Sequence, residues 1–106
     1  SIKKEGILIK NILEKFKGYN ILLDVDGKNI SSEEMSKEIE RLTVQGSSTI
    51  NFIIGGSYGV SEDVRKMSNF RLSFSKMTFP HQLMRLIFLE QLYRWLSIIN
   101  NIKYHK

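Results

Sequence analysis

Short apolar runs alternate along this chain with segments that carry a helical period, and that alternation restricts the fold more than any other feature. Ile21-Leu22-Leu23 forms the first run inside Tyr19 to Val25. Thr49 to Ile54 forms the second, and Phe70, Leu72 and Phe74, spaced by polar residues, form the third. An unbroken apolar run of strand length predicts a strand covered on both faces, as in a parallel sheet. Between and around the runs lie four predicted helices. The resulting order of helix and strand in strict alternation predicts an α/β fold, a mostly parallel sheet flanked by helices, formed by one domain over residues 1–106.

The helix signals are local and chemical. Leu8, Ile12 and Phe16 recur four apart beside Ile9 and Leu13, so Lys4 to Lys17 reads as an amphipathic helix that buries this stripe and stops at Gly18. Ser31 followed three residues later by Glu34 fits a capping box and starts a second helix near Ser32, with Met35, Ile39 and Leu42 inward and Gly46 beyond its end. Ser61 caps a short third helix that turns Val64 and Met67 inward. Pro80 suits the opening of the fourth, from His81 to about Asn100, because its missing N–H costs nothing there.

That fourth helix is apolar around most of its circumference, from Leu83 to Ile99, and such a helix has to be covered nearly all round. A sheet this thin covers one side only. A second copy of the chain is the expected cover, so the sequence predicts a homodimer. Glu90 and Arg94, four apart, read either as an internal ion pair or as part of a site.

Ligand chemistry is expected where strands empty into loops. Gly55-Gly56-Ser57-Tyr58-Gly59 follows the second strand and lacks both the G-x-G-x-x-G and the Walker spacing, so it reads equally as a ligand-approach loop or as a plain turn. The run Leu72 to His81 empties the third strand through small and hydroxyl residues into the last helix. The chain has no cysteine, which excludes disulfides, thiolate chemistry and Cys-ligated zinc. With two histidines and no H-E-x-x-H spacing, no metal site is expected. Sixteen Lys and Arg against eleven Asp and Glu leave a formal charge of +5, which favours a polyanionic partner weakly. No stretch is long and apolar enough for a membrane span and no leader pattern opens the chain, so a cytoplasmic protein is expected. Tyr104-His105-Lys106 reads either as a frayed end or as a tail that closes over a site.

Taken together, Leu23-Asp24-Val25-Asp26-Gly27-Lys28, Ser31-Ser32-Glu33, Phe52-Ile53-Ile54-Gly55-Gly56 with Gly59, Leu72 to His81, Glu90-Gln91-Leu92-Tyr93-Arg94 and Tyr104-His105 resemble successive signatures of the ribosomal RNA large subunit methyltransferase H family. The resemblance runs from about Glu5 to the end. It implies the SPOUT fold, with a trefoil knot in the C-terminal half, and a homodimer. It also implies transfer of a methyl group from S-adenosyl-L-methionine to N3 of a pseudouridine in helix 69 of 23S ribosomal RNA, on the RNA or the assembled ribosome. By the same resemblance Leu23, Gly55, Phe74, Ser75, Lys76, Met77, Thr78 and Phe79 bind the cofactor. His105, Tyr104 and Arg94 are the candidate catalytic residues. The chain departs from the family pattern in lacking an N-terminal strand, helix and strand, in Trp95 where alanine is expected, and in Lys103. The alternative reading is a non-catalytic RNA-binding dimer that keeps the SPOUT core.

Overall fold

The computed structural model describes residues 2–47, 49–55 and 59–101. Its elements run α1 (Ile2–Lys15), β1 (Tyr19–Asn29), α2 (Ser32–Val44), β2 (Ile50–Ile54), α3 (Glu62–Met67), β3 (Phe70–Ser73) and α4 (His81–Ile99). The strands pair in parallel in the order β2-β1-β3, so β1 takes the centre.

Alternate residues of β1 serve opposite faces of the sheet, as a two-residue period requires. Ile21 enters a core with Met35, Ile39, Leu72 and Trp95, closed over by α2 and α4. Its neighbour Leu22 enters a second core with Leu13, Ile53 and Val64, under α1 and α3. Both leucine and isoleucine are fully buried. This is the environment the unbroken run predicts.

The caps explain where the helices begin and end. At α2 the Ser31 side chain accepts from the Glu34 N–H at 3.1 Å while Glu34 Oε1 accepts from the Ser31 N–H at 3.0 Å. The far end closes through Gly46, whose φ of 92° suits glycine. Its N–H reaches the Thr43 carbonyl at 3.1 Å and that of Ser47 reaches the Leu42 carbonyl at 3.0 Å, the paired bonds of a Schellman ending. Ser61 caps α3 by accepting from the Val64 N–H at 3.3 Å.

Helix α1 corrects the expected face. Leu8, Ile12 and Phe16 are exposed, and the inward side is Gly6, Ile9 and Leu13. The cause is Gly6, where a Cβ would lie 2.4 Å from Ser61 Oγ; its absence lets α1 pack against the start of α3. Gly18 also plays a different part from the expected helix stop. A Cβ there would come within 2.4 Å of the Thr49 carbonyl oxygen, so glycine permits the close approach of the chain leading into β2.

One irregularity positions the site. Leu23 and Lys28 of β1 both align with Leu72 of β3, so residues 24–27 bulge out of the ladder. Gly27 makes this possible, because a Cβ there would meet the Arg71 backbone at 2.7 Å. Bulges of this sort re-aim side chains at sheet ends.

Candidate functional site

The carboxyl ends of the three parallel strands surround a cavity of about 250 Å³. The middle of β1, where the bulge begins, contributes Leu23 and Asp24, and the residues after β2 contribute Gly55 and Gly59. The β3 exit adds Phe74, Ser75, Thr78 and Phe79, and α3 reaches in with Arg65. Thus Leu23, Gly55, Phe74, Ser75, Thr78 and Phe79, each named from sequence, come together around one space. Lys76 and Met77 do not line it, and Met77 is 74 % exposed.

The loop after β3 is braced from within. Ser73 Oγ donates to the Ser75 carbonyl at 3.0 Å, and Ser75 Oγ accepts from the Met77 N–H at 3.0 Å. Behind it, Phe74 packs on the buried Trp95 with ring centroids 6.2 Å apart. Trp95 also stacks on Phe52 at 5.9 Å, so it is the centre of an aromatic cluster backing the cavity wall. Gly55 is confined too. A Cβ on it would lie 2.5 Å from Val60 Cγ1 and 3.3 Å from the Gly59 carbonyl.

Sequence reasoning passed over two charged residues here. Asp24 ends the apolar run of β1, and its side chain is 6 % exposed. Its Oδ1 accepts from the Asp26 N–H at 3.1 Å, which closes the bulge as a local Asx-type turn. Its Oδ2 lies 3.5 Å from Arg65 Nε and 3.5 Å from Arg71 Nη1, yet accepts no hydrogen bond. A carboxylate that directly ends the apolar run Ile21-Leu22-Leu23 inside a strand was the available signal for Asp24. Arg65 had none, since in sequence it is one of two basic residues ending a short helix.

The candidate catalytic residues are dispersed differently. Arg94 Nη2 donates to Glu90 Oε2 at 2.9 Å on α4 and does not line the cavity, so the internal pair is formed. Tyr104 and His105 lie outside the described residues. Among the described residues no group of three His, Cys, Asp or Glu is placed to hold a metal ion, and no helix is long and apolar enough to cross a membrane.

A parallel α/β layer with a cavity at the carboxyl ends of its strands defines a protein of the ligand-binding α/β class. Comparison with known proteins makes this narrower. The family described as "Predicted SPOUT methyltransferase" matches residues 1–105, and the chain belongs to that family. The ribosomal RNA large subunit methyltransferase H of Fusobacterium nucleatum is 60 % identical over 106 residues, which are 100 % of this chain and 68 % of that protein. Its namesake in Alkaliphilus oremlandii is 57 % identical over 96 % of this chain and 62 % of its own length. That of Clostridioides difficile is 54 % identical over 97 % and 64 %. The chain therefore spans about two thirds of the length of these relatives.

Proposed function

We propose that this chain is a SPOUT domain of an S-adenosyl-L-methionine-dependent methyltransferase that modifies N3 of a pseudouridine in helix 69 of 23S ribosomal RNA. The observation that carries the reading is the convergence of Leu23, Gly55, Phe74, Ser75, Thr78 and Phe79 on one cavity. The relatives' shared name as ribosomal RNA methyltransferases supplies the substrate class. The same membership supports a trefoil-knotted chain path.

The cavity suits a nucleoside-bearing sulfonium donor. Ile54, Val60, Leu72, Phe74 and Phe79 supply apolar wall for a base, and Asp24 and Arg65 supply charge for a polar end. When bound, the cofactor supplies an electrophilic methyl group. This chain's residues would hold the donor through the backbone at Gly55 and the 74–79 loop, and positioning of this kind contributes much of the rate in a direct transfer. Lys76, Arg85 and Arg94 are proposed to hold RNA phosphate or steady the base as its N3 proton leaves, with Tyr104 and His105 at the acceptor.

The homodimer belongs to the same proposal. Leu83, Leu86, Leu89, Tyr93 and Leu96 form an exposed apolar side of α4, opposite Phe88, Leu92, Trp95 and Ile99, which pack on the core. A second α4 would cover that side. The cellular setting is proposed to be the cytoplasm, with the ribosome or its large-subunit RNA as partner.

The experiment measures S-adenosylmethionine binding, and methyl transfer to ribosomes lacking the modification, for this chain and for an N-terminally extended form. Both forms should bind cofactor, and the extended form should transfer efficiently. Absence of cofactor binding in both, or of transfer by the extended form, would refute the assignment.

A further inference from the structure

The Asp24 cluster is built more elaborately than a surface ion pair. One buried carboxylate ties together the β1 bulge, α3 and β3, three of the segments that border the cavity. Its Oδ1 is spent on the Asp26 N–H. Its Oδ2 is shared between two guanidiniums, each at 3.5 Å. A charge-assisted bond at full strength would be about 2.7–2.9 Å. Asp24 thus fixes where the arginines sit without drawing either into a close fork.

Arg65 is the member that reaches the cavity. Its Nε faces Asp24, its Nη1 lies 3.5 Å from Glu62, and the side chain remains 36 % exposed. Glu62 is 69 % exposed, so water and salt weaken its claim on the guanidinium. Asp26 also borders the cavity and opposes an anion there, while Arg71 adds a second positive charge beside Asp24. A guanidinium has five donors in a planar fork, which matches an oxyanion in shape as well as in charge.

We propose that Arg65 receives an oxyanion at the cavity and that Asp24 is its positioning residue. This rests on the cavity being the methyl-donor site. Two sources carry the chemistry: the carboxylate on the amino-acid end of the cofactor, and a phosphate of the RNA whose base approaches the cavity. Asp24 touches neither. It acts by holding the fork in place, and so its removal has a diagnostic sign. Electrostatics alone would make an anion bind more tightly once Asp24 is neutralised. Loss of positioning makes it bind more weakly.

The test uses the 106-residue chain with Arg65→Gln, Asp24→Asn and the double variant. Calorimetry measures S-adenosylhomocysteine and 5′-methylthioadenosine, which lacks the amino-acid end. Titration with a helix 69 RNA oligonucleotide over a range of salt reads the phosphate arm. If the carboxylate is the ligand, Arg65→Gln should weaken S-adenosylhomocysteine about tenfold and leave methylthioadenosine unchanged. If phosphate is the ligand, both small molecules should bind as before, while the salt slope of RNA binding falls by about 0.7–0.9. In whichever arm responds, Asp24→Asn should weaken binding in the same direction, and the double variant should be little worse than Arg65→Gln alone. No change in either arm for Arg65→Gln overturns the proposal, and so does tighter binding by Asp24→Asn. If Asp24→Asn fails to fold, the Arg65→Gln comparison still decides the anion site. Failure of the unaltered chain to bind either small molecule would count against the cofactor reading itself.

Discussion

Trp95 offers a quantitative check on the packing behind the cavity. The indole is 1 % exposed and sits among Phe52, Phe74 and Phe88, with ring centroids 5.9, 6.2 and 6.3 Å away. Its Nε1 is buried without a hydrogen-bond partner. Two substitutions separate the worth of the ring from the cost of that N–H. Trp95→Ala removes the whole side chain from a core and should cost about 3–5 kcal/mol. Trp95→Phe keeps an aromatic ring against Phe52. It opens a void on the order of 40 Å³, which at about 24 cal/mol per Å³ costs about 1 kcal/mol, and the ring atoms removed forfeit roughly 1 kcal/mol more of apolar transfer. Against this, deleting a buried unsatisfied donor recovers about 1–3 kcal/mol. The phenylalanine variant should therefore stay within about 1 kcal/mol of the natural chain. Urea denaturation at one fixed protein concentration measures both, since any dimerisation would make stability concentration-dependent. A loss above about 2 kcal/mol for Trp95→Phe would refute the reasoning, because it would mean that the N–H is satisfied or that the void cannot relax.

Three further outcomes follow from particular contacts. The Glu34 carboxyl is held below its usual range, first by the Ser31 N–H and then by the Ser31 hydroxyl. A depressed carboxylate stabilises above its unfolded value of 4.5 and loses that contribution as pH falls through the folded value, so Glu34→Gln should flatten the stability profile below pH 4.5 in acid titrations followed by circular dichroism. Leu89 is exposed on α4 while Leu92 packs on the core, so Leu89→Lys should shift sedimentation from dimer to monomer with the fold intact, whereas Leu92→Lys should lower the melting temperature. Gly55→Val meets Val60 and Gly59 before any ligand, so it should reduce thermal stability as well as cofactor affinity; a variant of unchanged stability would contradict this.

Much of the fold is written in local chemistry that a single sequence exposes. The capping box at Ser31, the glycine ending at Gly46 and the serine cap at Ser61 each depend on residues a few positions apart, and each forms as the sequence suggests. The unbroken run in β1 also reports its surroundings correctly, because burial on both faces leaves no polar alternation to disguise it. Helix α1 shows where this stops. Leu8, Ile12 and Phe16 satisfy the period as well as Ile9 and Leu13 do, and the choice between faces is made by Gly6, a residue that hydrophobic periodicity does not count. The site divides in the same way. The loops proposed to hold the cofactor are legible as strand exits and as family signatures. The pairing of Asp24 with Arg65 depends on a bulge, and the bulge depends on Gly27 meeting the Arg71 backbone across the sheet. No spacing in the sequence records it.

Asp24 Oδ2 and Trp95 Nε1 are both buried without a hydrogen bond, and their surroundings give the two atoms opposite meanings. Around the indole N–H lie aromatic rings, and Trp95 does not border the cavity. Its missing bond is a packing cost accepted for a large ring that fills the core behind Phe74, and deleting the donor should relieve it. Around the Asp24 oxygen stand two guanidiniums at 3.5 Å, on elements that do border the cavity. Here the carboxylate is matched in charge while its geometry is left slack, and buried polar groups of this kind are often kept for a function. The contrast makes the two sets of variants complementary. Removing the orphan at Trp95 should cost little if the ring is kept, whereas removing the one at Asp24 should loosen Arg65 and weaken the oxyanion it receives. Equal tolerance at both positions would mean that the Asp24 cluster, too, is only packing.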